Sequence, residues 1–134
     1  MKKKNTLLLF LCLFSLWAVA QEKKPVKIAC VGNSITYGSG IKNQFQNSYP
    51  GLLSQLLGEG YDVRNFGISA RVLLNKGDHP YMHEQKFRDL LAFQPDIVTI
   101  KLGTNDSKPW NWRYGKDFKK DLTEMLDILQ ELPS

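Results

Sequence analysis

An apolar run over residues 26–31 stops abruptly at Gly32-Asn33-Ser34-Ile35-Thr36. Near-continuous apolar character suits a parallel strand covered on both faces. A strand that ends in glycine and passes directly to serine sets a hydroxyl at the carboxyl edge of a sheet, where open α/β folds bind ligands. Ser34 is therefore the first candidate nucleophile, with a turn or helix-capping serine as its plain alternative. The same layout recurs at Ile97-Val98-Thr99-Ile100-Lys101-Leu102, followed by Gly103-Thr104-Asn105-Asp106. Two strand ends are thus expected to present polar groups on one rim.

The segments between them alternate in type. Ser48 can cap a helix carrying Tyr49, Leu52, Leu53, Leu56 and Leu57, whose spacing makes one apolar stripe, and Gly58 and Gly60 end it. Residues 61–65 read as a second, shorter strand. A helix is expected from near Pro80 to Phe93, with Phe87, Leu90 and Leu91 inward and Pro95 as its stop. Residues 96–102 form the third strand. Over about residues 116–132, Phe118, Leu122, Met125, Leu126, Leu129 and Leu132 fall on one face of an amphipathic helix. Such alternation predicts an α/β fold with right-handed crossovers and a parallel sheet.

The first twenty residues differ from the rest. Lys2, Lys3 and Lys4 precede an apolar run over residues 7–17, and Ala18-Val19-Ala20 stands before Gln21. A basic start, a short apolar middle and a small-x-small site predict a secretory signal peptide over residues 1–20, cleaved after Ala20, and hence a secreted or periplasmic protein. The run is too short to span a bilayer, so no stable membrane anchor is expected after cleavage. Removing the leader's three lysines lowers the net charge from +5 to +2. The remaining cations are scattered among acids, which argues against a nucleic-acid partner. Cys30 is the only cysteine of residues 21–134, which rules out an internal disulfide and suits a small core side chain. One domain is the most that a segment of this length supports.

Gly32-Asn33-Ser34-Ile35-Thr36, Asn65-Phe66-Gly67-Ile68-Ser69 and Gly103-Thr104-Asn105-Asp106, in this order and spacing, resemble the first three sequence blocks of the SGNH (GDSL-type) hydrolases. The resemblance runs from residue 26 to about residue 131. It implies a flavodoxin-like three-layer α/β/α fold, incomplete at its carboxyl end. The family's fourth block, an Asp-x-x-His that supplies the base, has no counterpart, because the histidines are His79 and His83. Residues 21–134 are therefore expected to be the amino-terminal portion of such a domain.

Ester hydrolysis needs a nucleophile, a base to take its proton and donors aimed at the oxygen that becomes negative. The resemblance gives the first role to Ser34 and the oxyanion hole to the N–H of Ser34, the N–H of Gly67 and the amide of Asn105. A plain turn glycine and a turn asparagine are the alternatives for the last two. Asn33 stands where the family usually has aspartate, keeping hydrogen-bonding capacity for substrate without the charge. Asp106 is expected to brace the Asn105 loop or, as a second choice, the Ser34 loop. His79 and His83 are read as capping or exposed residues rather than as the base.

Trp110, Trp112 and Tyr114 follow the third block and offer aromatic faces on which sugar rings stack, or alternatively pack over the last helix. Within the family the blocks are most similar to bacterial sialate O-acetylesterase-like and acetylxylan esterase-like members. The function implied is an exported serine esterase removing small acyl groups, acetyl first among them, from a glycan. No cofactor is implied, and no metal, since no Cys/His/Asp cluster has ligand spacing. Competing classes are a non-catalytic acyl-glycan-binding protein, an inactive fragment without the base, and a flavodoxin-like phosphate or flavin binder. The last would use the hydroxyl-rich loop of Asn33, Ser34, Thr36 and Ser39, which lacks a P-loop lysine.

Overall fold

A computed structural model describes residues 23–133, so the leader expected over residues 1–20 lies outside the described residues. Three strands, β1 (Val26–Gly32), β2 (Tyr61–Gly67) and β3 (Ile97–Lys101), form one parallel sheet in the order β2-β1-β3. Six helices accompany them: α1 (Ser34–Tyr37), α2 (Gln44–Asn47), α3 (Tyr49–Leu57), α4 (Gln85–Phe93), α5 (Pro109–Trp112) and α6 (Phe118–Gln130). Single 3-10 turns stand at Tyr81–His83 and Gly115–Asp117.

Side chains alternate across β1. Ala29 and Val31 join Phe66, Leu73, Tyr81, Phe87, Leu90, Phe93 and Met125 in one buried cluster, so α4 and α6 cover that face of the sheet. Val98 and Ile100 of β3 pack against the same cluster. The opposite face of β1 carries Ile28 and Cys30, both buried, on the side of α1 and α3. Tyr49 of α3 reaches β3 there, its hydroxyl sharing a hydrogen bond of 3.0 Å with Thr99 Oγ1. The three-layer α/β/α expectation holds, and Cys30 is a small core residue as its setting foretold.

The entry to β3 is pinned to β1. Lys27 N–H donates to Asp96 Oδ2 at 2.7 Å, the Asp96 N–H returns a bond to Lys27 O at 2.9 Å, and Lys27 Nζ reaches Phe93 O at 3.1 Å. Those contacts fix where β3 begins after Pro95, and so where it ends.

Several local expectations change. The helix expected from Pro80 divides into a 3-10 turn and α4, because Pro80 and Glu84 both have extended backbone. Tyr81 decides this break: its N–H donates to Val72 O at 2.9 Å and its hydroxyl to Phe66 O at 2.6 Å. Burial pushes the Tyr81 phenol far above its ordinary value, so it acts only as a neutral donor. The leucine stripe of α3 is not buried as a stripe. Pro50 faces inward while Leu52 and Leu56 are exposed, because Gly51 brings the first turn against the backbone of Phe45 and Gln46 and sets the helix rotation. Ser48 occupies the N-cap position of α3 without making a side-chain cap bond. On α6, Met125 is buried but Leu126 points outward.

Candidate active site

Strand register builds the site. Gly32 lies opposite Gly67 on one side and Lys101 on the other, so the carboxyl ends of all three strands stop level with one another. The segments that leave them, carrying Ser34, Ser69–Arg71 and Gly103–Asp106, therefore start from one edge, as the spacing of the blocks predicts.

Ser34 is the first residue of α1 and is half-buried. As a first-turn residue its N–H has no partner within the helix. Its hydroxyl makes no hydrogen bond with a described residue. Asn33 is buried, and its Oδ1 caps α1 by accepting from Ile35 N–H at 3.1 Å. That places the Asn33 side chain inside the turn rather than on a substrate-facing rim. Gly32 is required by the same turn, since a Cβ there would run into Thr36 Oγ1 and sit 2.8 Å from Lys101 O.

Gly67 has a different task from the one expected. Its N–H donates to Asn65 Oδ1 at 2.8 Å, so it is tied back to its own strand rather than open to a ligand. A Cβ on Gly67 would collide with Tyr37 N, which makes this glycine the point where β2 passes closest to α1. Asn65 completes the joint by donating from Nδ2 to Thr36 O at 2.9 Å. Together these residues hold the short helix that carries Ser34. Sequence reasoning took Asn65 only as part of a block, and its bracing role needs the tertiary contact to be seen.

Beyond Gly67 the chain turns at Ala70, which sits in the left-handed region at φ 67°. Alanine adopts this conformation at a cost of roughly 1–2 kcal/mol, and such strain gathers at functional turns. The Ala70 N–H makes no hydrogen bond with a described residue and the residue is exposed. No signal in the sequence marks it, because alanine does not advertise a positive φ as glycine would. The turn is held on both sides: Ser39 and Ser69 share a hydrogen bond of 2.6 Å, and Arg71 bridges Ser69 O at 3.0 Å and Glu84 at 2.8 Å.

Asn105 is buried at the same edge, its Nδ2 donating one hydrogen to Arg71 O at 3.0 Å. A carboxamide has two such hydrogens, and the second makes no hydrogen bond with a described residue. Asp106, fully buried, takes Leu73 N–H and Leu74 N–H at 2.8 Å on one oxygen and Gly103 N–H at 3.0 Å on the other. It braces the Asn105 loop as expected, and does so against residues 73–74 rather than the Ser34 loop.

Trp110 and Trp112 are about half exposed, at 54% and 53%. The Trp110 indole N–H donates to Asp78 Oδ2 at 3.1 Å, while the Trp112 ring packs on Phe118 of α6 with centroids 6.0 Å apart. Trp112 thus packs in part over the last helix, while Trp110 stands on the rim with Lys108 Nζ over its ring, 5.6 Å from the ring centre. Tyr114 is half-buried beside the Arg113 guanidinium, 4.7 Å from its ring centre. Burial works to raise the Asp78 carboxyl, but the hydrogen bonds from Trp110 and Asn111 outweigh it and hold the group below its ordinary value. His79 and His83 are exposed, and neither imidazole makes a hydrogen bond with a described residue. Among the described residues no group of three or more His, Cys, Asp or Glu is placed to hold a metal ion.

A serine at a strand-to-helix turn and a carboxamide in the loop that leaves the neighbouring strand thus start from one edge of the sheet. Residues 30–134 match the GDSL-like lipase/acylhydrolase family, and the chain belongs to it. It is 54% identical over 111 residues to an acetylxylan esterase of Xylanibacter ruminicola, an alignment covering 83% of this chain and 23% of that protein. Among solved structures it resembles AlinE4, an SGNH-hydrolase family esterase, with a TM-score of 0.57 and 25% identity over 82% of this chain and 57% of the other. The D162A mutant of the same esterase aligns with a TM-score of 0.60 at 24% identity, over 80% of this chain and 54% of that one. The chain thus spans under a quarter of its curated relative and a little over half of each esterase chain.

Proposed function

We propose that the protein is an exported serine esterase that removes acetyl groups from carbohydrate, xylan-type glycans foremost. The level strand ends at Gly32, Gly67 and Lys101 carry this reading, because they start the Ser34 and Asn105 loops from a single edge. Family membership and the 54% identity to an acetylxylan esterase support the acyl and sugar parts of it. The half-exposed face of Trp110 offers a surface on which a pyranose ring can stack.

In this reading Ser34 Oγ attacks the ester carbonyl and forms the acyl-enzyme bond. The ester C–O bond breaks, and the sugar hydroxyl leaves with the proton that a general base took from Ser34. Water then adds to the acyl-enzyme, releasing acetate and restoring the serine. The oxyanion is held by Ser34 N–H, by the second Asn105 amide hydrogen and by the Ala70 N–H, which takes the place first expected for Gly67. The base is assigned to the part of the fold that the esterase neighbours have and this chain does not span, since neither His79 nor His83 faces Ser34 through a hydrogen bond. General-base help is worth roughly 10²- to 10⁴-fold, so residues 21–134 alone are expected to turn over slowly.

Turnover of p-nitrophenyl acetate and release of acetate from acetylated xylan test the reading. Activity is expected in protein extended past Ser134, and Ser34→Ala is expected to abolish it. Equal rates in wild type and Ser34→Ala would remove Ser34 from the mechanism.

A further inference from the structure

The side chain of Asn111 is buried, at 1% exposure, and every polar position on it is used. Its Nδ2 donates to Asp78 Oδ1 at 3.0 Å and to Asn105 O at 3.0 Å, and its Oδ1 accepts from Asp78 N–H at 3.0 Å. The orientation of the amide is forced, because the oxygen faces an N–H while the nitrogen faces a carboxylate and a carbonyl. The other Asp78 oxygen holds the Trp110 indole. A single buried carboxamide therefore links the loop of residues 74–79, the aromatic rim and the main chain of Asn105.

We propose that Asn111 is a positioning residue for the Asn105 amide. The inference rests on the reading of Asn105 as an oxyanion donor. Asn105 spends one amide hydrogen on Arg71 O, so the aim of the other is set by where its backbone lies. On the side toward Gly103 that backbone is fixed by Asp106. Its own carbonyl is fixed by Asn111 Nδ2 and by the Lys108 N–H, the latter at 3.3 Å. Donors that stabilise a developing charge act only when held in place before the reaction, and a displacement of about 1 Å can cost on the order of 10²-fold. The same Asp78 that orients Asn111 holds Trp110, so the aromatic rim and the oxyanion donor are kept in one frame.

The test uses the near-isosteric Asn111→Asp in protein extended past Ser134, with p-nitrophenyl acetate as substrate. This change removes both donations and sets two carboxylates against each other. A loss in kcat of about 10- to 100-fold is expected, with KM moved less than about threefold. The pair Asn111→Asp with Asp78→Asn restores a donor facing an acceptor between positions 78 and 111 but leaves the Asn105 carbonyl without its Nδ2 partner. Thermal stability is therefore expected to recover in the pair while kcat stays low. Recovery of kcat together with stability, or a kcat within about twofold of wild type in Asn111→Asp, overturns the inference. Asn105→Ala separates the two layers: an unchanged kcat there removes the donor reading itself, whereas a large loss beside a silent Asn111→Asp removes only the positioning role.

Discussion

Asp106 shows how one side chain can carry a loop. Its carboxylate takes three backbone N–H groups with no exposure to solvent, so Asp106→Ala would strand three donors in the interior. An unpaired buried donor costs about 1–3 kcal/mol, and the substitution is expected to destabilise by roughly 3 kcal/mol or more in urea unfolding. Asn105→Ala acts differently. If Asn105 is the oxyanion donor proposed above, the change is expected to lower kcat on p-nitrophenyl acetate by about 10²-fold or more at nearly unchanged KM, because such a donor is called on only in the transition state. Ser34, Asn105 and Asp106 were legible in the sequence as polar residues just after strand ends. Gly67 and Ala70 were not, since which N–H of a turn is free depends on the side chain, here Asn65, that folds back on it.

At the scale of elements, β1 and β3 were legible as short apolar runs ending at glycine, and α6 as an amphipathic stripe. The break between Pro80 and Gln85 was not, because it is made by Tyr81 reaching β2 from far along the chain. Tyr81→Phe is expected to cost about 1 kcal/mol by removing the buried hydrogen bond to Phe66 O, read as a lower urea midpoint at unchanged slope. The end of α4 offers a change in the other direction. Gln94 closes that helix in the left-handed region at φ 50°, which a glycine adopts without steric cost. Relief of roughly 1–2 kcal/mol, less the entropy glycine loses on folding, leaves Gln94→Gly more stable by about 0.5–1 kcal/mol in thermal melts.

At the scale of the whole molecule, the loop of residues 71–79 is where the two ends of the site meet. It contacts Asn105, Asp106 and Asn111, and Asn75 N–H donates to the buried Asp121 of α6 at 2.8 Å. Its electrostatics give a pH signature. The folded state holds Asp78 below its ordinary value, so its contribution is present above the unfolded carboxylate range and is lost as pH falls through the lowered folded value. An acid titration of tryptophan fluorescence is expected to show a transition at that point, as Trp110 loses its acceptor, and Asp78→Asn should lack it. The absence of a difference between the two titrations would show that Trp110 is not held by this charge. The amino-acid order alone settled the parallel α/β class, the strand that delivers Ser34 and the loop that delivers Asn105, because local periodicity and strand-ending glycines are short-range properties. Only the tertiary structure decided which backbone hydrogens stay free, which face of α3 is covered and how Asn111 is tied to Asn105, because those depend on side chains that meet across strands and loops distant in the chain.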